Sequence, residues 1–472
     1  MAEKPLRVVV AGAGISGMSC AYRLQERLSI LGRPFEISLI EASARLGGII
    51  ETTKRQDCVL EKGPDSFLAE KPRGMGLCND LAITSHLIST RPESRRSFIL
   101  QKNKPYPIPR GFHILVPTQP LEMLFSKLLS FKGKRDMLKE FFVRAQPPPD
   151  ETLGSFVRRR FGPEILDRLA HPIVSGIYGA DPDQLSMRAT FPQFLQMEQN
   201  GSLLLQAIKN TSGLGAQQAS GARYALMMSF KEGMQTLIQK MGERMTHVRA
   251  YMGTSLIRLQ GLESGWKVTL SSKEEILTDA VCLALPAEGS AAILDETDPG
   301  LAQILRQTPH ADSLSVYFAL PKKAIRAPIE GAGLLVPKSE RKSFTACTLV
   351  HNKFPHRAPD GMALLRAFAG GKAADALWSF SDEEIERRIF NDLKAILNIQ
   401  GTPHFTQLYR YRKGLPLYTM GHLDRIEAVR QHLSALPTLA LAGNWRQGIG
   451  IPDCIDSGER AADQLIMDLC RV

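Results

Sequence analysis

The sequence predicts an α/β protein, in which a Rossmann-like dinucleotide-binding domain is joined to a mixed α+β domain and a helical insertion. Three observations lead there. A strand-like run, a Gly-x-Gly-x-x-Gly turn and a helical pattern follow one another from residue 6, which is the context this fingerprint requires. A second glycine-rich turn, at 443–453, opens another helical pattern. Between them, strand-like runs and amphipathic helix alternate over 254–412, the texture of a chain that passes between layers.

Residues 6–11 (Leu-Arg-Val-Val-Val-Ala) form a short β-branched strand ending at Gly12. Ile15, Met18, Ala21, Tyr22, Leu24 and Leu28 then recur at helical spacing. After Gly32-Arg33-Pro34, residues 35–40 read as a second strand that ends at Glu41, completing a βαβ unit. The texture changes over 91–149, where prolines repeat and 121–143 mixes Leu, Met and Phe with Lys127, Lys132, Lys134, Arg135 and Lys139. Helices of a separate subdomain are expected here and again over 151–169. The Gly/Ala/Ser/Gln stretch 212–221 reads as a surface loop closing that insertion. Strands are expected at 254–259, 266–270, 280–285, 313–320, 363–369 and 439–443, and helices at 382–397 and 453–469. The division that follows is a dinucleotide domain of 1–90, 222–290 and 413–472, a substrate domain of 91–110 and 291–412, and a helical subdomain of 111–221.

Composition narrows the function classes. A chain of 472 residues is expected to hold two or three domains at roughly 150 residues each. Its 43% hydrophobic and 23% charged content is that of a soluble globular protein and excludes wholesale disorder, collagen and disulfide scaffolds. Lys and Arg number 59 against 48 Asp and Glu, a formal charge of +11, which favours anionic partners. No basic stripe interleaved with aromatics and no nucleic-acid reading motif is present, so nucleic acid is not an expected partner. No uninterrupted apolar run is long enough to span a bilayer, and residues 1–10 lack the signal-peptide pattern, so a cytoplasmic protein is expected. The seven cysteines contain no C-x-x-C pair and read as reduced thiols. His351 and His356 are five apart and lack helical ligand spacing, and no metal site is expected.

The chemistry sits in the glycine turns. In Gly12-Ala13-Gly14-Ile15-Ser16-Gly17 the first glycine permits the tight turn, the second lets backbone approach a pyrophosphate, and the third allows close helix-to-strand packing. The helix N-terminus adds a favourable field for the anion. Glu41, ending the second strand, is placed to accept hydrogen bonds from a ribose. NAD and FAD both satisfy this pattern. Arg45-Leu46-Gly47-Gly48 extends the backbone contact beyond what a simple NAD fold requires, and the 443–453 turn would set a helix N-terminus against a flavin ring, favouring its reduced form by about 0.3–1 kcal/mol.

With Gly63-Pro64-Asp65-Ser66-Phe67, Ser175-Gly176-Ile177-Tyr178-Gly179, Thr190-Phe191-Pro192 and Gly448 to Ser457, these motifs resemble the FAD-dependent porphyrinogen oxidases of haem synthesis. That family lies within the amine-oxidase and phytoene-desaturase superfamily, and the resemblance runs essentially end to end. It implies an FAD-binding domain of that type. Gly12, Ala13, Gly14, Ile15, Ser16, Gly17, Glu41, Ala42, Arg45, Gly47 and Gly48 match its ADP-binding part, and Leu256 an adenine-side backbone contact. Gly63, Pro64, Asp65, Ser66, Ile449, Gly450 and Ile451 match flavin-ring contacts, as does Tyr411, where family members often carry Trp. Ile177, Tyr178 and Gly179 match a segment near the substrate pocket. Lys71, close after the ring motif, is the candidate for binding a substrate carboxylate or for an electrostatic role.

The implied reaction removes six electrons from a porphyrinogen in three hydride transfers to the flavin, with O2 as acceptor and H2O2 as product. Asp65, Thr345-Ala346-Cys347-Thr348 and Ile451-Pro452-Asp453-Cys454-Ile455-Asp456 are similar to members from Gram-positive bacteria that act on coproporphyrinogen III. Protoporphyrinogen IX stays open, and so, more distantly, do amine oxidase and carotenoid desaturase activities on the same scaffold. The basic 121–144 stretch implies peripheral contact with the inner face of the cell membrane as a further expectation.

Overall fold

The computed structural model describes residues 4–143, 148–212 and 227–470. Its organising layer is a parallel five-stranded sheet in the order Val248–Met252, Phe35–Glu41, Leu6–Ala11, Ala280–Leu283, Leu439–Leu441. The central strand, Leu6–Ala11, is buried on both faces, as its Val-Val-Val run requires of a strand covered by helices. Helix Ile15–Leu31 leaves Gly14 at the C-terminal end of that strand and packs against the long helix Ile451–Leu469. The crossing is close: a Cβ on Gly458 would lie 2.1 Å from the Ser16 carbonyl oxygen. The first βαβ unit and the last helix therefore share one apolar core with Phe67, Met234 and Leu237.

A second, seven-stranded sheet runs Phe405–Pro416, His310–Pro321, Met362–Gly370, Ala346–Leu349, Gly333–Leu335, Ser97–Gln101, Lys104–Pro107. It is antiparallel except between Gly333–Leu335 and Ser97–Gln101. The helix expected at 382–397 spans Asp382–Leu397, capped by the Ser381 hydroxyl, and its apolar face covers this sheet. The strands expected at 313–320 and 363–369 lie inside His310–Pro321 and Met362–Gly370. One expected boundary is corrected: the junction at 412/413 falls inside strand Phe405–Pro416, which pairs along His310–Pro321. The Lys and Arg at 410–413 broke the apolar pattern there, but on a partly solvated strand such residues are ordinary.

Helices Pro120–Phe125, Phe131–Leu138 and Leu153–Phe161 belong to a third cluster of short helices with its own core of Phe156, Phe161, Leu169 and Leu204. Inside it lies a charge network whose centre, Arg160, Glu140 and Glu198, is fully buried. Arg160 binds Glu140 and reaches Glu198 at 3.5 Å, while Arg159 joins Glu198 at 2.6 Å and also binds Glu151. The loop expected at 212–221 falls, beyond its first residue, outside the described residues.

Candidate active site

The three fingerprint glycines have three different surroundings. Gly12 has φ +96°, and a Cβ there would lie 2.5 Å from the Ala284 carbonyl oxygen. A Cβ on Gly17 would come within 1.8 Å of the Gly12 carbonyl oxygen. Both positions are closed to any side chain by backbone. A Cβ on Gly14 meets nothing within 4 Å, so the protein itself leaves that side free. This is the division of labour the pattern predicts for a pyrophosphate cradle.

Around that cradle, Glu41 accepts from the Ala13 N–H at 2.8 Å on one carboxylate oxygen and from the Ser43 N–H at 2.8 Å on the other. Each oxygen keeps acceptor capacity for a ribose hydroxyl. The Gly47 N–H donates to the Ala13 carbonyl at 2.8 Å, locking the second glycine loop onto the first. Ile15 and Ser16 begin the helix behind the cradle, while Ala42 is exposed at its rim. Thr254 N donates to Glu41 O at 2.9 Å, which brings the strand beginning at Leu256 beside the acid, with the Leu256 side chain in the core. Arg45 contributes differently from a direct partner of the acid. Its guanidinium donates to the carbonyls of Leu46 and Ile50, each at 3.1 Å, and of Gly48, and pairs with Glu51 at 2.8 Å. It holds the shape of its own loop.

A cavity of about 600 Å³ opens from the end of the first sheet to the face of the second. Gly63, Pro64, Asp65, Ser66, Lys71, Tyr411, Ile449, Gly450 and Ile451 all line it, with Ile177 and Gly179 on the opposite side. Residues as much as 388 positions apart in the sequence thus meet around one cavity. Tyr411 donates its hydroxyl proton to the Lys62 carbonyl at 2.7 Å, and burial pushes its phenol up to about 12. Tyr178, between Ile177 and Gly179, is not itself among the lining residues: its ring packs edge-on against Phe191, 5.9 Å between centroids.

Lys71 lies on the wall but is already engaged, its Nζ 2.6 Å from both oxygens of Asp453. Asp65 receives Lys353 Nζ at 2.8 and 3.0 Å and the Ser66 hydroxyl at 2.6 Å. Burial alone would raise the Asp65 pKa, but the Lys353 and Arg366 charges overcome it and hold the carboxyl well below the usual range.

The sequence reading missed Arg366 and Lys353. Arg366 is 3% exposed on strand Met362–Gly370 of the second sheet, between the rings of Tyr317 and Phe368 at 5.0 and 4.7 Å. It donates to the Lys62 carbonyl at 2.8 Å, yet its Nε has no partner. A signal for it existed: an arginine within the strand-like run Ala-Leu-Leu-Arg-Ala-Phe-Ala is a charge that must be buried. Lys353, in the short helix Val350–Lys353, carried no local signal.

A parallel sheet with a glycine cradle at its strand ends, opening into a large cavity, defines a dinucleotide-dependent oxidoreductase. The chain belongs to the flavin containing amine oxidoreductase family, which it matches over residues 15–466, and its cofactor is FAD. It is 32% identical to a coproporphyrinogen III oxidase of Bacillus subtilis (strain 168), across 99% of both chains. It is 27% identical to protoporphyrinogen oxidase 2, chloroplastic/mitochondrial, of Arabidopsis thaliana, covering 98% of this chain and 94% of that one. Among solved structures, it superposes with TM-score 0.86 on a protein of Exiguobacterium sp. 255-15 assigned as a protoporphyrinogen oxidase, at 29% identity and 99% coverage of both chains.

Proposed function

We propose that this protein is an oxygen-dependent porphyrinogen oxidase that converts coproporphyrinogen III to coproporphyrin III with release of H2O2. The observation that carries the porphyrinogen reading is the charge of the cavity, and the 32% identity to a coproporphyrinogen III oxidase supports that substrate. Lys62, Lys71, Arg95, Lys353 and Arg366 line it against a single acid, Asp65. Lys62 is paired with Glu51, Lys71 with Asp453 and Lys353 with Asp65. Among the described residues, no carboxylate lies within ion-pair distance of Arg95 or Arg366, and the Nε of each is buried without a partner. Two guanidinium groups lacking carboxylates suit a substrate that brings its own, and a buried unsatisfied donor is costly until it does.

When bound, FAD supplies the two-electron oxidation, repeated three times for each six-electron product. The protein residues position and shield. Leu314, Leu334, Leu335, Ile177 and Phe368 offer apolar walls for a macrocycle and exclude water from it. Arg366 and Arg95 hold propionates and so fix which bridging carbon meets the flavin. The turn 449–451 presents a helix N-terminus to the cavity, a field that favours negative charge.

Purified protein incubated in air with each reduced porphyrinogen, followed by porphyrin fluorescence and peroxide, tests the proposal. Coproporphyrinogen is expected to be consumed at least tenfold faster than protoporphyrinogen. Equal rates overturn the substrate, and silence with both overturns the reaction.

The helical cluster favours a further reading, peripheral contact with an anionic lipid surface. Leu121, Phe125, Phe131 and Phe142 are 70%, 86%, 85% and 87% exposed beside Lys127, Lys132, Lys134, Arg135 and Lys139. Apolar side chains that insert and cations that meet headgroups are the two components of interfacial binding. Sedimentation with phosphatidylglycerol vesicles is expected for the wild type and lost in Phe125→Ser/Phe131→Ser. Equal sedimentation of both proteins refutes it. Among the described residues no helix is long and apolar enough to cross a membrane.

A further inference from the structure

We infer that Lys71 is the counter-ion of Asp453, a positioning and charge-balancing residue that tunes the flavin, and that it is not a ligand for a substrate carboxylate. The inference rests on the flavin reading but on neither candidate substrate.

Asp453 stands in the first turn of helix Ile451–Leu469, where its Oδ2 accepts from the Gly450 N–H at 3.1 Å. The turn it ties down, Ile449 to Pro452, forms part of the cavity wall. Asp453 is largely shielded, its side chain 19% exposed. A carboxylate there stabilises the helix, because it answers the positive end of the dipole. For the same reason it opposes any second negative charge brought to that helix end, and reduction makes a flavin ring more negative.

Lys71 resolves this conflict. It is the residue immediately before helix Pro72–Asp80, on a different part of the chain, and its ammonium sits 2.6 Å from both oxygens of Asp453. With the pair neutral, the helix keeps its cap and the cavity keeps the field of the helix N-terminus. An ammonium gripped by both oxygens of one carboxylate is also a poor partner for a substrate propionate, which would have to displace Asp453. Arg73, two residues further on, is committed in the same way to Asp456 at 3.0 Å and Glu459 at 2.8 Å. Tyr178, Tyr418 and Cys454 also feel Asp453 here, and each, pushed up mainly by burial, stays neutral.

The test is a charge cycle read by the two-electron midpoint potential of the purified, flavin-loaded protein, measured against a reference dye without any porphyrinogen. Lys71→Met is expected to lower the reduced-to-oxidised ratio at fixed potential about tenfold, a fall of about 30 mV. Asp453→Asn keeps an acceptor for the Gly450 N–H and is expected to move the potential up by a comparable factor. Lys71→Met/Asp453→Asn returns to within about threefold of the wild type, and Lys71→Arg stays there. A residue that merely held the turn in place would not show opposite signs in the two single variants, nor recovery in the double. An unmoved potential in Lys71→Met, or a fall in Asp453→Asn, overturns the inference. Flavin content is read on the same samples, so a colourless wild type defeats the flavin reading while a yellow wild type with unmoved variants defeats only the pairing.

Discussion

Gly14→Val is expected to give a folded but colourless protein. Gly14 has φ −67° and ψ 173°, extended backbone that a branched residue adopts without strain, and the added Cβ meets no protein atom within 4 Å. Two small effects on the apoprotein oppose each other. Removing a glycine restricts the unfolded chain and stabilises by about 0.4–1 kcal/mol, while an apolar residue at a helix N-cap costs about 0.5–1 kcal/mol relative to glycine. The flavin-free melting temperature should therefore move by no more than about 2–4 °C. Binding is affected far more, because the isopropyl group fills the side on which the backbone amides are to meet a pyrophosphate. Charge-assisted hydrogen bonds contribute about 1.5–3 kcal/mol each; losing two removes about 3–6 kcal/mol, a hundredfold to ten-thousandfold drop in affinity. The assay is the flavin-to-protein absorbance ratio after gel filtration, beside a thermal melt of the stripped proteins. Gly17→Val is the control, since its Cβ would lie 1.8 Å from the Gly12 carbonyl oxygen, and it should fail to fold. Gly14→Val with wild-type flavin content, or Gly17→Val as stable as the wild type, would refute the reasoning.

Two further outcomes follow from the buried charges. Arg160→Met strands Glu140 in the helical core, where both partners are completely buried, and should cost about 3–5 kcal/mol; a denaturant midpoint within error of the wild type would contradict this. Asp65 titrates well below the ordinary carboxylate range in the folded protein because Lys353 and Arg366 outweigh its burial. A depressed folded pKa contributes stability above the unfolded value, near pH 4, and that contribution is lost as pH falls below it. Asp65→Asn should accordingly show a shallower loss of stability than the wild type in denaturation titrations carried from pH 6 into the acid range, and parallel curves would rule the linkage out.

The first βαβ unit was legible because its signals are local: a β-branched run, a glycine triplet and a 3.6-residue period lie within 40 positions of one another. Helix Asp382–Leu397 was equally plain, with Ser381 as its cap and Ile385, Ile389 and Leu393 on one face. The cavity was only half legible. Glycine motifs mark where backbone must bend or approach, so they betray the cofactor side from sequence alone. Lys353 meets Asp65 across 288 positions and Lys71 meets Asp453 across 382, and neither pairing leaves any trace in its neighbourhood. Arg366 is an intermediate case, conspicuous as a charge in an apolar strand but mute about which face it served. The strand Phe405–Pro416 was not anticipated, and it runs through the expected domain junction because Arg410, Arg412 and Lys413 send their side chains to Asp382, Asp312 and Glu288, contacts that let a basic stretch remain in a sheet.

The packing of helix Ile15–Leu31 against helix Ile451–Leu469, fastened at its surface by Arg23 and Asp463 across 440 positions, dictates an order of assembly during synthesis. Residues 6–41 leave the ribosome long before residues 451–469, so the face of the first helix at Ser16 and Cys20, which packs on Gly458, stays without that cover until the last helix is made. A chain interrupted before Ile451 therefore leaves apolar surface on the first helix bare and the prosthetic group without a closed bed.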